Sequence, residues 1–333
     1  MNQREKPKRP NDSKARSRRV IKSISVATVA ERQEILAQRV EQDRKERFEK
    51  YVSKVMQLKK SSTMATRAAY DGATHLKILA EGDSWFEYPL EEGGIIDQLQ
   101  EILGIDICNM AHHGDEVRQI MGVSQREELR KRLSNGQVHF DVLLFSGGGN
   151  DLVGDQFCIW LNDFEESFPA EKLINNERLS AVLSTVEAGY RDLISIRDGY
   201  SPQTKIFFHG YDFPRPTGKK ACFVGPWLKP SLEERKIPGS MQFEVVKIML
   251  TQFAEMLKKL CRENPGSVFY VPTQGTLQPT KEWWANEIHP SPKGFLKLAE
   301  VFSTALSSEE TSVSRQQIRN KSKSLKTKTP AEK

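Results

Sequence analysis

The sequence predicts an α/β fold: a three-layer α/β/α sandwich around a roughly five-stranded parallel sheet, with an N-terminal helical extension. Three observations predict it. Five short runs, 76–81 (LKILAE), 105–111 (IDICNMA), 139–146 (HFDVLLFS), 204–210 (TKIFFHG) and 267–272 (SVFYVP), are apolar without alternating, as strands covered on both faces are. Between them apolar residues recur at helical spacing. Strand then helix, repeated, builds a parallel sheet with helices on both faces.

Taken in order, residues 28–60 read as a helix. Thr28 and Glu31 make a capping box, and Leu36, Val40, Tyr51, Val55 and Leu58 give a broken apolar stripe. The stripe is too interrupted for a coiled coil and suits packing on the main domain or on a second copy. After the first strand, Ile95, Ile96, Leu99, Ile102 and Leu103 share one helix face. After the second, Ser124 and Glu127 read as a capping box, Leu129 and Leu133 as its stripe and Gly136 as its stop. Leu179, Val182, Leu183, Val186, Tyr190 and Leu193 form the stripe of a later helix. Phe295, Leu298, Ala299 and Phe302 form that of the last. All of these stripes mean core packing.

Four polar blocks punctuate this alternation: GDSW at 82–85, NMAHHGDE at 109–116, GGGND at 147–151 and NEIHP at 286–290. A hydroxyl nucleophile needs a base to take its proton, and the oxygen that gains charge on the attacked carbonyl needs hydrogen bonds aimed at it. Ser84, His289, Gly114 and Asn150 supply such groups. Alone, GDS or GGGND is also a plain turn, since glycine provides unusual backbone angles. Their ordered co-occurrence, each just past a strand-like run, favours the chemical reading. Topology argues the same way independently, because open parallel sheets bind ligands beyond the carboxyl ends of their strands.

The order and surroundings of these residues resemble the SGNH hydrolases, the GDSL-type esterase and lipase superfamily, over residues 75–306. The resemblance implies a flavodoxin-like sheet, Ser84 as nucleophile, Gly114 and Asn150 as oxyanion donors beside the Ser84 N–H, and His289 as base. It implies acyl transfer from a small-molecule carboxylic ester to water, with no cofactor and no metal. Residues 286–289 depart from the family pattern: an aspartate is expected three residues before the histidine, and Asn286 stands there. An amide oxygen can still accept the imidazole N–H but brings no negative charge. Glu287 is the competing candidate, and a backbone carbonyl or a water is the third.

Substrate contacts are expected from residues flanking the blocks, namely Asp83, Trp85, Phe86, His113 and Asp151, and from two irregular insertions. Residues 152–169 and 211–235 carry Phe157, Trp160, Phe164, Tyr211, Phe213, Phe223 and Trp227 among Pro and Gly. Aromatic loops of this kind cover something, either a substrate pocket or the domain edge. Tyr211, Asp212 and Trp227 are the pocket candidates, with Arg215 a further polar one. His112 and His113, being adjacent, are expected to diverge and to make a poor metal pair. His75, His139 and His209 flank strands and are expected to cap or pair there. The four cysteines form no C-x-x-C unit, which argues against zinc.

The formal net charge of +6 belongs to the ends. Residues 1–22 hold nine Lys/Arg and two Asp/Glu, and residues 307–333 hold seven and three, so 23–306 is net acidic. The expected organisation is a disordered basic tail over 1–27, a helical extension over 28–70, the catalytic domain over 75–306 and a second disordered basic tail over 307–333. Basic tails attract nucleic acid or anionic membrane, though solubility is their commoner role. No apolar run of transmembrane length and no secretory signal pattern is present, so the expected location is the cytoplasm. Two readings stand: a serine esterase, and a non-catalytic α/β binding protein whose tails engage an anionic partner. A phosphodiesterase is disfavoured, since no carboxylate and histidine cluster suits two metals.

Overall fold

The computed structural model describes residues 29–61, 76–89, 93–221 and 224–308. Thr28, residues 62–70 of the expected helical extension, His75, Phe223, the first tail and all but two residues of the second lie outside these. The chain divides into two units, residues 1–49 and 50–333. The described part of the first is helical and belongs to α1 (Val29–Ser61).

The second unit is built on five parallel strands, β1 (Ile78–Gly82), β2 (Cys108–Asn109), β3 (Val142–Ser146), β4 (Lys205–His209) and β5 (Val268–Val271), in the order β2-β1-β3-β4-β5. Every residue of β1 and β3 is buried, which is why these runs do not alternate. The run at 105–111 yields only two strand residues, because β2 is an edge with one neighbour. Beyond it the chain stays tied to β1 by Met110 N–H to Ala80 O (2.8 Å) and His112 N–H to Gly82 O (2.9 Å).

Helices α2 (Ile95–Leu103), α3 (Val117–Ile120), α4 (Val123–Leu133), α5 (Gly149–Leu152), α6 (Asn176–Tyr200), α7 (Lys229–Glu234), α8 (Gly239–Glu263) and α9 (292–308) connect and follow the strands. Aromatic contacts show that both sheet faces are covered. Phe145 of β3 and Phe208 of β4 meet Tyr190 of α6 edge-on at 4.9 and 4.6 Å. His209, the next residue along β4, points the other way, to Phe302 of α9 at 5.4 Å and Phe86 at 5.5 Å. Phe295, Leu298, Ala299 and Phe302 are all buried, as their spacing predicts.

One local expectation changes. Helix α4 begins at Val123 with Gly122 as its N-cap, so Ser124 lies inside the first turn and caps nothing. Helix α9 runs through residue 308. Residues 50–61 of α1 pack on this same unit, with Tyr51 stacked on Phe140 at 5.9 Å and Lys54 paired with Asp106 at 2.5 Å.

The strand order reverses direction between β1 and β3, and in open sheets such a switch point opens a crevice at the carboxyl edge. GDSW leaves β1 and GGGND leaves β3 at that edge. The two strand ends approach so closely that a Cβ on Gly82 would lie 2.2 Å from Ser146 O. Gly82 is therefore required by space.

Candidate active site

Ser84 sits in the turn that follows β1, and its Oγ lies 2.8 Å from Nε2 of His289. The other ring nitrogen, Nδ1, is 3.1 Å from Oδ1 of Asn286. An amide oxygen can only accept, so Nδ1 carries the proton and the Nε2 lone pair faces the serine hydroxyl. Asn286 is itself fixed: Oδ1 also accepts the N–H groups of Ile288 (3.1 Å) and His289 (3.0 Å), and Nδ2 donates to the Tyr88 hydroxyl (3.0 Å).

Tyr88 and Trp227 flank the imidazole at 4.7 and 5.4 Å between ring centres. Trp85 ties the Ser84 turn to the His289 loop by an indole N–H to Ile288 O (3.2 Å). Enclosure of this kind disfavours a charged ring. Burial, assisted by the charge of His113, pushes the His289 imidazole down to about 3. The ring is neutral at ordinary pH and holds an open lone pair toward Ser84.

Gly114 adopts φ +87°, yet nothing lies within 4 Å of where its Cβ would be. Conformation, not space, calls for glycine there. Asn150 stands in the first turn of α5 and gives one amide hydrogen to Asp115 O (2.9 Å). Among the described residues the N–H groups of Ser84 and Gly114, and the second amide hydrogen of Asn150, have no acceptor. Backbone donors normally find partners, so unused donors beside an activated hydroxyl are what an oxyanion site requires. Ser84, Trp85, Asn150, Val153, Leu250 and Ile288 contribute to the lining of a cavity of about 40 Å³. A water needs roughly 10–15 Å³ by this measure, so the cavity has room for a short substituent.

Asp83, Tyr211 and Asp212 also line this cavity, but the carboxylates of the expected site residues Asp83, Asp151 and Asp212 are bonded within the protein. The Asp83 carboxylate turns under the site and accepts from Trp85 N–H (3.0 Å), Ser146 Oγ (2.8 Å) and Tyr211 Oη (2.6 Å). Phe86 is fully buried against His209 and Phe302, so it packs the core and does not line a cleft. Asp151 accepts from Val117 N–H (2.9 Å) and holds the start of α3. Asp212 accepts from the N–H groups of Phe213, Gly275 and Leu277 and ties two loops together. Arg215 lies over the Phe243 ring at 4.6 Å.

Glu287 does not approach His289. Its two oxygens accept four backbone N–H groups, from Gly218, Trp227, Leu228 and Lys229, at 2.5–3.0 Å. His112 and His113 do not diverge; their rings stack at 4.3 Å. His113 Nδ1 meets Glu87 at 3.2 Å, which raises its pKa. His209 is buried and neutral, pushed down to about 3 by burial, and its Nδ1 accepts Tyr211 N–H at 3.3 Å.

Sequence reasoning missed Tyr88 and Ser146. Tyr88 lies four residues past Ser84 with no motif to mark it, and Ser146 reads as the end of a buried strand. Among the described residues no group of three or more His, Cys, Asp or Glu is placed to hold a metal, and no helix is long and apolar enough to cross a membrane.

No protein-family model and no curated protein matches the chain. Solved structures similar to it include a protein from Slackia heliotrinireducens assigned to the SGNH hydrolases, 12% identical, covering 70% of this chain and 100% of that one, with a TM-score of 0.47. An extracellular lipase from Streptomyces rimosus is 13% identical over 69% of this chain and 99% of its own, with a TM-score of 0.46. A family 3 carbohydrate esterase from Clostridium thermocellum is 16% identical over 71% and 98%, with a TM-score of 0.42.

Proposed function

We propose that this chain is a serine hydrolase of the SGNH type that cleaves a small carboxylic ester through an acyl-enzyme. The observation that carries the reading is the relay from Ser84 Oγ through the His289 ring to Asn286 Oδ1, at 2.8 and 3.1 Å. Ser84 attacks the ester carbonyl carbon while its proton passes to Nε2 of His289. The carbonyl oxygen gains the negative charge and is met by the N–H groups of Ser84 and Gly114 and the free amide hydrogen of Asn150. As the carbonyl re-forms, the C–O bond to the alcohol breaks and the alcohol departs with the proton held by His289. Water then attacks the acyl-enzyme by the same route and releases the acid and Ser84.

The cavity of about 40 Å³ beside Ser84 favours a short acyl group over a long chain. The test is hydrolysis of an aryl acetate by the full chain and by single variants. Ser84→Ala and His289→Ala should each lower kcat by at least about a thousand-fold, and Asn150→Ala by about a hundred- to a thousand-fold. Turnover unchanged in Ser84→Ala would reject the reading.

A further inference from the structure

We infer that Tyr211 is a positioning residue whose hydroxyl locks the nucleophile turn and the oxyanion-donor turn into one rigid unit. The inference rests on the hydrolase reading and deepens it. Tyr211 is buried, and its hydroxyl bridges the two blocks: it donates to Asp83 Oδ2 at 2.6 Å and accepts the N–H of Gly149 at 2.9 Å. Asp83 immediately precedes the nucleophile Ser84, and Gly149 immediately precedes the oxyanion donor Asn150. One atom therefore links the two turns directly, beside the Ser146 Oγ to Asp83 bond that joins the strand ends.

The backbone of Tyr211 is held in the left-handed region at φ +58°. A bulky residue there is strained and persists only where its surroundings over-determine it. Those surroundings are present. The Tyr211 N–H donates to His209 Nδ1 (3.3 Å), its carbonyl accepts from Thr273 Oγ1 (2.6 Å), and its ring packs against Trp85 at 5.1 Å and Phe253 at 5.7 Å. Asp212, the next residue, is anchored by three backbone N–H groups. The strained conformation carries the ring back under the sheet edge, where its hydroxyl reaches both turns.

Asp83 adds a titration that reports on the bridge. Burial raises its carboxyl to about 6, while the bonds from Tyr211, Trp85 and Ser146 oppose the rise. The other titratable groups that bear on Asp83 are Asp115 in the second block and Tyr190 on α6. The ionised carboxylate accepts all three donors, so protonation below about pH 6 loosens the bridge.

The experiment compares wild type with Tyr211→Phe and Asp83→Asn, using aryl acetate hydrolysis across pH with a thermal melt of each. Tyr211→Phe should lower kcat by about ten- to a hundred-fold, the scale of a small misplacement of reacting groups, with KM changed less than about three-fold. Its acid limb should move to higher pH, because the carboxylate has lost a donor. Asp83→Asn should lower kcat and abolish the limb near pH 6, since an amide does not titrate. Leu193→Ala, a core cavity on α6, controls for stability alone and should keep kcat.

Three results would overturn the inference: kcat of Tyr211→Phe within two-fold of wild type, a rise in KM with kcat unchanged, or an acid limb that survives in Asp83→Asn. If Tyr211→Phe does not fold, the Asp83→Asn profile decides alone. An inactive wild type would instead reject the hydrolase reading and this inference with it. An active wild type matched by both variants would reject only the inference.

Discussion

On the proposed mechanism, Asn286 puts an amide where a carboxylate would stabilise the imidazolium formed in turnover. It fixes the tautomer and orientation of His289 as a carboxylate would. It adds no charge, and the buried ring therefore stays a weak base, down at about 3. Asn286→Ala removes the orienting oxygen and should lower kcat by about ten- to a hundred-fold, read from steady-state kinetics. Asn286→Asp keeps the oxygen and adds an anion beside the ring, so the imidazole pKa rises. The sign follows: the base is lost to protonation at a higher pH, and activity at pH 5 falls relative to activity at pH 8. An unaltered pH profile in Asn286→Asp would mean that position 286 does not face the ring. That Ser84 and His289 meet was legible from the blocks, because the nucleophile, base and donor chemistry proposed for Ser84, His289, Gly114 and Asn150 needs particular residue types. That Phe86 packs the core and that Asp151 holds the start of α3 were not, since adjacency to a motif says nothing about the direction in which a side chain leaves a turn.

Glu287 explains how the histidine loop is joined to the insertion that precedes α7. Four backbone N–H groups converge on its carboxylate, and Trp227, held by one of them, lies edge-on to the His289 ring. Glu287→Gln replaces one oxygen with an NH₂ that faces two of those donors. Unsatisfied buried groups cost about 1–3 kcal/mol each, so the variant should lose on the order of 2 kcal/mol in stability, measured by denaturant unfolding. KM should rise as Trp227 shifts. Equal stability and equal KM would show that the insertion holds its place without Glu287. The strands and helices α1, α2, α6 and α9 were legible because period and burial write themselves into apolar spacing, whereas the 25-residue α8 was not read. The short edge strand β2 and the start of α4 were not, because one neighbour's hydrogen bonds and a backbone glycine cap leave no side-chain signature.

The site and the charge of the molecule lie in different parts of the chain. The four blocks gather where the order β2-β1-β3-β4-β5 reverses, an arrangement that the strand and helix alternation foretold. Lys and Arg gather in residues 1–22 and 307–333. Removing both segments should leave ester turnover within about two-fold while reducing retention on a polyanion column at low salt, a contrast that follows from screened electrostatics. Loss of turnover on removal would tie the ends to the site. The central claim concerns Ser84, and intact-mass analysis after fluorophosphonate treatment tests it most directly, with Ser84→Ala and His289→Ala alongside. The account predicts a single adduct on wild type, none on Ser84→Ala and a greatly slowed one on His289→Ala. An adduct that forms equally on all three, or none on folded wild type, would contradict it.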